Sequence, residues 1–145
     1  MMVGMPERIP AGALVVVDAA PIIYYLENHP KFAAHFAPWF EAAARGEIHL
    51  AISTITLAEV ATGPLQLGNE LLAAQYEQVL SASCTVLPVT QQVAMQAARI
   101  RAAHGLRPPD AMVVASAIAC GAHALLTHDK AFARIKEIQV VGIEP

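Results

Sequence analysis

The chain has 145 residues, 56% of them hydrophobic and only 14% charged, with a formal net charge of −3. That length supports one domain with a real core, and the charge shows none of the basic excess by which many nucleic-acid binders are recognised. No window approaches eighteen uninterrupted apolar residues, which argues against a transmembrane helix and leaves apolar surface for a partner.

Residues 1–12 hold Pro6, Glu7, Arg8 and Pro10 and lack a basic segment followed by an apolar one. They are expected to form a flexible tail, not a signal peptide, with residues 13–145 as a single domain. Cys84 and Cys120 stand at no metal spacing, and buried reduced thiols in a cytoplasmic protein are the expectation. Six of the nine basic residues lie from Arg99 onward: Arg99, Arg101, Arg107, Lys130, Arg134 and Lys136. A local basic face stays open, against a default of solvated charges.

Leu14 to Val17 is a run of β-branched and apolar residues, unbroken until Asp18, as in a parallel strand buried on both faces. Pro21 suits the first turn of a helix over about 20–28, which His29-Pro30 ends. A second helix is predicted over 31–44, where Phe32, Phe36, Trp39, Phe40 and Ala43 recur at helical spacing and Gly46 stops it. Residues 48–52 read as the second strand. Ser53 or Thr54 can cap the helix that carries Thr56, Leu57, Glu59 and Val60, and Gly63-Pro64 is expected to break it. A long helix follows over 69–81 with Leu71, Leu72, Tyr76 and Leu80 on one face, then a strand over 84–89. Thr90 caps a helix over 91–104 that Gly105 terminates. Pro108-Pro109 opens a helix over 110–120. Strands are predicted over 124–127 and 138–141. Alternating strands and helices mean a three-layer α/β/α sandwich with a mostly parallel central sheet.

In such a sheet the strand ends and the starts of the following helices share one edge, where ligands bind. Asp18 ends the first strand, Glu59 lies early in the helix after the second, Asp110 lies in the first turn of its helix, and Asp129 follows the fourth strand. Each alone has a simpler role: a helix cap for Asp18, complements to helix N-termini for Glu59 and Asp110, a turn residue for Asp129. Together they form a crowd of like charges that persists when cations neutralise it. An all-oxygen site suits Mg²⁺ or Mn²⁺; a histidine-rich one would suggest zinc. Only His128 among the six histidines adjoins an acid, as a neighbour and not a ligand.

The segments Val16-Val17-Asp18, Thr56-Leu57-Ala58-Glu59-Val60, Arg107-Pro108-Pro109-Asp110-Ala111 and Leu125 to Phe132, in this order and at these spacings, resemble the PIN-domain family. The resemblance runs from about Leu14 onward and is strongest to the small VapC-like toxins of type II toxin–antitoxin pairs. It implies a five-stranded parallel sheet, Mg²⁺- or Mn²⁺-dependent ribonuclease activity, a cognate antitoxin and a homodimer. Ala20, His128 and Ala131 depart from the family, where a hydroxyl or amide residue, an Asn and a further acid are common.

On this reading Asp18, Glu59, Asp110 and Asp129 are the catalytic and metal-holding acids. An ion on Asp18 and Asp110 lowers the pKa of a water for in-line attack on the phosphodiester. A second ion nearer Glu59 and Asp129 steadies the leaving oxygen, leaving a 5′-phosphate and a 3′-hydroxyl. Thr127 and His128 support the acids from behind. Arg99, Arg101, Arg107 and Lys130 are candidates for contacts to RNA phosphates. Tyr24, Tyr25, Phe36, Trp39, Phe40, Leu71, Leu72 and Tyr76 are candidates for a surface that the antitoxin covers, with burial in the core as the alternative. Other classes stay open: a non-catalytic binding or regulatory module on the same fold, a magnesium-dependent phosphatase, or a phospho-acceptor domain. Ala20 denies Asp18 the Asp-x-Asp pair of such a phosphatase, and paired acids after the first strand are missing for the phospho-acceptor.

Overall fold

The structure, a computed structural model, describes residues 9–143. Five strands, β1 (Leu14–Val17), β2 (His49–Ser53), β3 (Cys84–Leu87), β4 (Ala124–Leu126) and β5 (Gln139–Val141), form one sheet in the order β3-β2-β1-β4-β5. Every pairing is parallel. Successive side chains of a strand point to opposite faces, so Val15 and Val17 enter one core and Val16 the other. All three are fully buried, as a central strand requires.

Helices α1 (Ala19–Leu26), α2 (Ala33–Ala44), α3 (Thr54–Gln66) and α4 (Glu70–Ser83) supply the first core, with Ile22, Phe36, Trp39, Val60 and Leu80 inside it. Helices α5 (Gln91–His104) and α6 (Pro108–Ala119) supply the second, through Val93, Ala97, Ile100, Val113, Val114 and Ala117. A short 3₁₀ helix, η1 (Lys130–Arg134), follows β4 and buries Phe132.

Two expectations change. Gly63-Pro64 does not break α3, which continues to Gln66. Thr56, Val60 and Pro64 recur every four residues along the buried stripe, so packing the proline ring inward offsets the hydrogen bond its missing N–H forgoes. Gly68, with φ at +71°, follows the end of the helix instead. The tail is also shorter than residues 1–12. Ile9 is buried in the first core and the Gly12 N–H donates to the Glu47 carbonyl at 2.7 Å, so residues 9–12 belong to the fold; residues 1–8 lie outside the described residues. No helix among the described residues is long and apolar enough to cross a membrane.

Candidate active site

The register builds the site. Val17 pairs with Leu126, which sets Asp18 beside Thr127 at the carboxyl edge of the two central strands. The Asp18 N–H donates to the Leu126 carbonyl at 2.9 Å, and the Thr127 N–H to the Val141 carbonyl at 3.0 Å, so ladder bonds on both sides fix these two residues. Asp18 is 7% exposed. Its Oδ1 accepts from the Ala19 N–H at 2.9 Å and its Oδ2 from the Thr127 hydroxyl at 2.9 Å. The same hydroxyl accepts from the Asp129 N–H at 3.1 Å. One threonine thus ties the acid after β1 to the turn after β4.

Asp110 is 6% exposed, in the first turn of α6 that Pro108 and Pro109 open. Its carboxylate takes the Arg107 guanidinium, Nε to Oδ2 at 3.1 Å and Nη2 to Oδ1 at 3.5 Å. Glu59 stands on α3, exposed at the rim. Asp129 is half-buried, and its Oδ1 caps η1 by accepting from the Ala131 N–H at 2.9 Å.

The electrostatics join these groups. Burial pushes the Asp18 carboxyl above its ordinary range; the Ala19 and Thr127 hydrogen bonds oppose this, and the charges of Asp110 and Asp129 add to it. Glu59 is also raised, by desolvation first and then by Asp18 and Asp110, with Arg107 opposing. Asp18 therefore feels Asp110 and Asp129, while Glu59 feels Asp18 and Asp110.

Among the described residues, no three His, Cys, Asp or Glu side chains close on a point that could hold an ion by themselves. The gathering is looser than four converging ligands: two buried acids, one at the rim, one half engaged in its own turn. That donor set still fits Mg²⁺ or Mn²⁺. Mg²⁺ commonly uses one or two carboxylates and keeps several waters, and two like-charged, buried oxygen donors call for a cation.

The remaining candidates fall into two groups. His128 Nδ1 lies 3.2 Å from the Tyr24 hydroxyl, its ring packed among Tyr24, Phe32 and Phe36. Lys130 begins η1 and is exposed. Arg99 and Arg101 are exposed on α5, and neither is hydrogen-bonded to any of the four acids. Two supporting residues escape sequence reasoning. Tyr24 reads there as partner surface, yet it holds His128. Gly142 lies under the site: with φ at +94°, a Cβ would stand 2.7 Å from the Thr127 carbonyl oxygen and 2.6 Å from Leu126 Cδ1. Its one signal is a glycine directly after an apolar strand. Neither cysteine belongs to the site. Both are free thiols, and burial pushes Cys84 up to about 11, which makes it a poor nucleophile.

The fold is shared with solved toxin–antitoxin structures. VapBC2 from Rickettsia felis, bound to a promoter DNA fragment, matches with a TM-score of 0.71 at 18% identity over 88% of this chain and 97% of that one. A toxin–antitoxin complex from Klebsiella pneumoniae matches at 0.70 and 24% identity, over 88% and 95%. VapC20 from Mycobacterium tuberculosis, a sarcin–ricin loop cleaving toxin, matches at 0.68 and 18% identity, over 86% and 98%. No curated protein sequence matches significantly. A family model described as the PIN domain matches residues 15–138, and with that coverage the chain belongs to the PIN domain family.

Proposed function

We propose that the chain is a divalent-metal-dependent endoribonuclease and the toxin of a toxin–antitoxin pair. The observation that carries this is the pair Asp18 and Asp110, both buried at the carboxyl edge of the sheet, with a third acid coupled to both. Simple helix caps gain nothing from facing one another. Asp18 and Asp110 would hold the ion, with Glu59 and Asp129 reaching it through water. Bound there, Mg²⁺ or Mn²⁺ supplies positive charge for the phosphodiester oxygens and makes water a stronger nucleophile near neutral pH.

The chain's own residues do the positioning. Thr127 donates to Asp18 Oδ2, which turns that carboxylate's free lone pairs toward the edge. Lys130 and Arg107 are placed to take RNA phosphates. The fold shared with toxins crystallised in antitoxin complexes supports the partner. So does an apolar groove of about 410 Å³ between α1, α2 and α4, lined by Tyr25, Leu26, Phe40 and Val79. A homodimer is part of the same reading.

One observation favours a catalytically silent module: Arg107 already neutralises Asp110, so the metal-free edge is partly satisfied. Incubation of the pure protein with end-labelled RNA in Mg²⁺, Mn²⁺ or EDTA, beside Asp18→Asn and Asp110→Asn, separates the two. Cleavage in metal that both substitutions and EDTA reduce to background is expected. Folded variants that cleave like wild type would refute the assignment.

A further inference from the structure

We propose that Arg107 is a resident counter-cation of the acid edge, exchanged for the divalent ion when that ion binds Asp110. The proposal rests on the metal-site reading above and adds to it the step by which the metal-free edge becomes competent.

The two buried acids are held in different ways. Asp18 is fixed by neutral donors, the Ala19 N–H and the Thr127 hydroxyl, both at 2.9 Å. These donors orient the carboxylate without cancelling its charge, so they can stay in place beside a cation. Asp110 is held by a cation, and that cation is poorly anchored. The Arg107 side chain is 75% exposed while the Asp110 side chain it contacts is 9% exposed. One contact is a good hydrogen bond at 3.1 Å; the second, at 3.5 Å, is at the limit of one. An ion pair built for stability would bury the guanidinium and shorten both contacts. An exposed, lopsided pair contributes little and is easily opened.

The pivot is rigid, so the side chain can leave without the backbone. Leu106 is buried, Arg107 is extended at φ −62° and ψ 150°, and Pro108 restricts the residue before it to that region. Arg107 is also within electrostatic reach of Glu59 and Asp129. It lies over the same charge that a divalent ion would neutralise, and the two cations cannot share the Asp110 oxygens at full occupancy.

The test is metal binding without RNA. Mn²⁺ affinity is measured by calorimetry for wild type, Arg107→Gln, Arg107→Lys and, as a control for a distant exposed cation, Arg101→Gln. Loss of a weak competing pair tightens binding by about fivefold in Arg107→Gln. Arg107→Lys, which keeps the charge but loses the fork, tightens it by a smaller factor, and Arg101→Gln leaves it unchanged. In parallel, the Arg107 Nε–H resonance shifts during a Mg²⁺ titration with the midpoint of binding. Equal affinity in Arg107→Lys and wild type would reduce the effect to long-range charge and overturn the exchange, as would an Arg107 resonance that stays put while the ion binds. Absence of Mn²⁺ binding in both wild type and Arg107→Gln would overturn the metal reading as well, which is a different result from binding that ignores Arg107.

Discussion

Asp18 is the residue on which burial and function conflict most. Its folded-state pKa is raised, so the neutral form is favoured in the fold and the charged form costs stability. That contribution is fully present below the unfolded carboxylate value, about 3.9, and is lost as pH rises through the folded value. In EDTA, the melting temperature of Asp18→Asn relative to wild type is therefore expected to climb as pH rises from about 4 to 7. A difference independent of pH across that window would mean that the carboxylate is not under electrostatic load. Thr127 belongs to the same argument. Thr127→Val removes the hydroxyl that orients Asp18 and accepts from Asp129, and a loss of roughly 10–100-fold in metal affinity or cleavage rate is expected, as for other supports behind metal ligands. Unchanged metal affinity would make the hydroxyl a plain strand-end contact. Asp18 and Asp110 were legible in the sequence because one ends an apolar run and the other follows a Pro-Pro helix start. The Arg107–Asp110 pair was not, since an arginine three residues before an acid reads equally well as two solvated charges. Nor was the engagement of Asp129 in capping η1, which depends on a turn of only five residues.

At the scale of elements, hydrophobic period and caps located nearly every helix and strand. Thr90 and Gly105 bracket α5 as their chemistry requires: the threonine hydroxyl accepts from the Val93 N–H and the glycine takes φ +71°. The misreading at Pro64 came from weighing a lost hydrogen bond above a buried ring, and local sequence does not say which side of a helix will be packed. Leu71 shows the same limit: placed on the inner face by spacing, it is 70% exposed, while Ala73 and Leu80 are the buried positions of α4. The loop after β5 makes a prediction of its own. Gly142→Ala forces a methyl against the Thr127 carbonyl and the Leu126 side chain at a positive φ. Overpacking of this kind costs about 1–3 kcal/mol, and because backbone lies in the way, the strain falls on the strand end that presents Thr127. Chemical denaturation is expected to show the loss. A Gly142→Ala protein as stable as wild type would mean that β4 and the following turn give way freely, and that the edge is less rigid than its ladder bonds suggest.

The whole molecule was legible as a parallel α/β sandwich from alternation alone, whereas the strand order β3-β2-β1-β4-β5 comes from packing that no single segment records. The aromatic surface was only half legible. Phe36 and Trp39 are fully buried in the first core, while Tyr25, Leu65, Leu67, Leu71 and Val79 remain exposed on α1, α3, α4 and the turn between α3 and α4. That surface is expected to be covered in a complex. Gentle purification from the native host should recover a second polypeptide or a dimer that Tyr25→Glu with Val79→Glu disrupts; a partner-free monomer would count against both. The central claim, that the acid edge is a cation site and not a set of helix caps, is tested most directly by thermal melting of wild type and Asp18→Asn, each in EDTA and in Mn²⁺. Binding to the folded state alone stabilises by about 2.7 kcal/mol at a hundredfold excess over Kd, a rise of roughly 5–10 °C for a domain of this size. Wild type is predicted to show that rise and Asp18→Asn to lose most of it. Equal shifts in the two proteins, or no shift in either, would contradict the account.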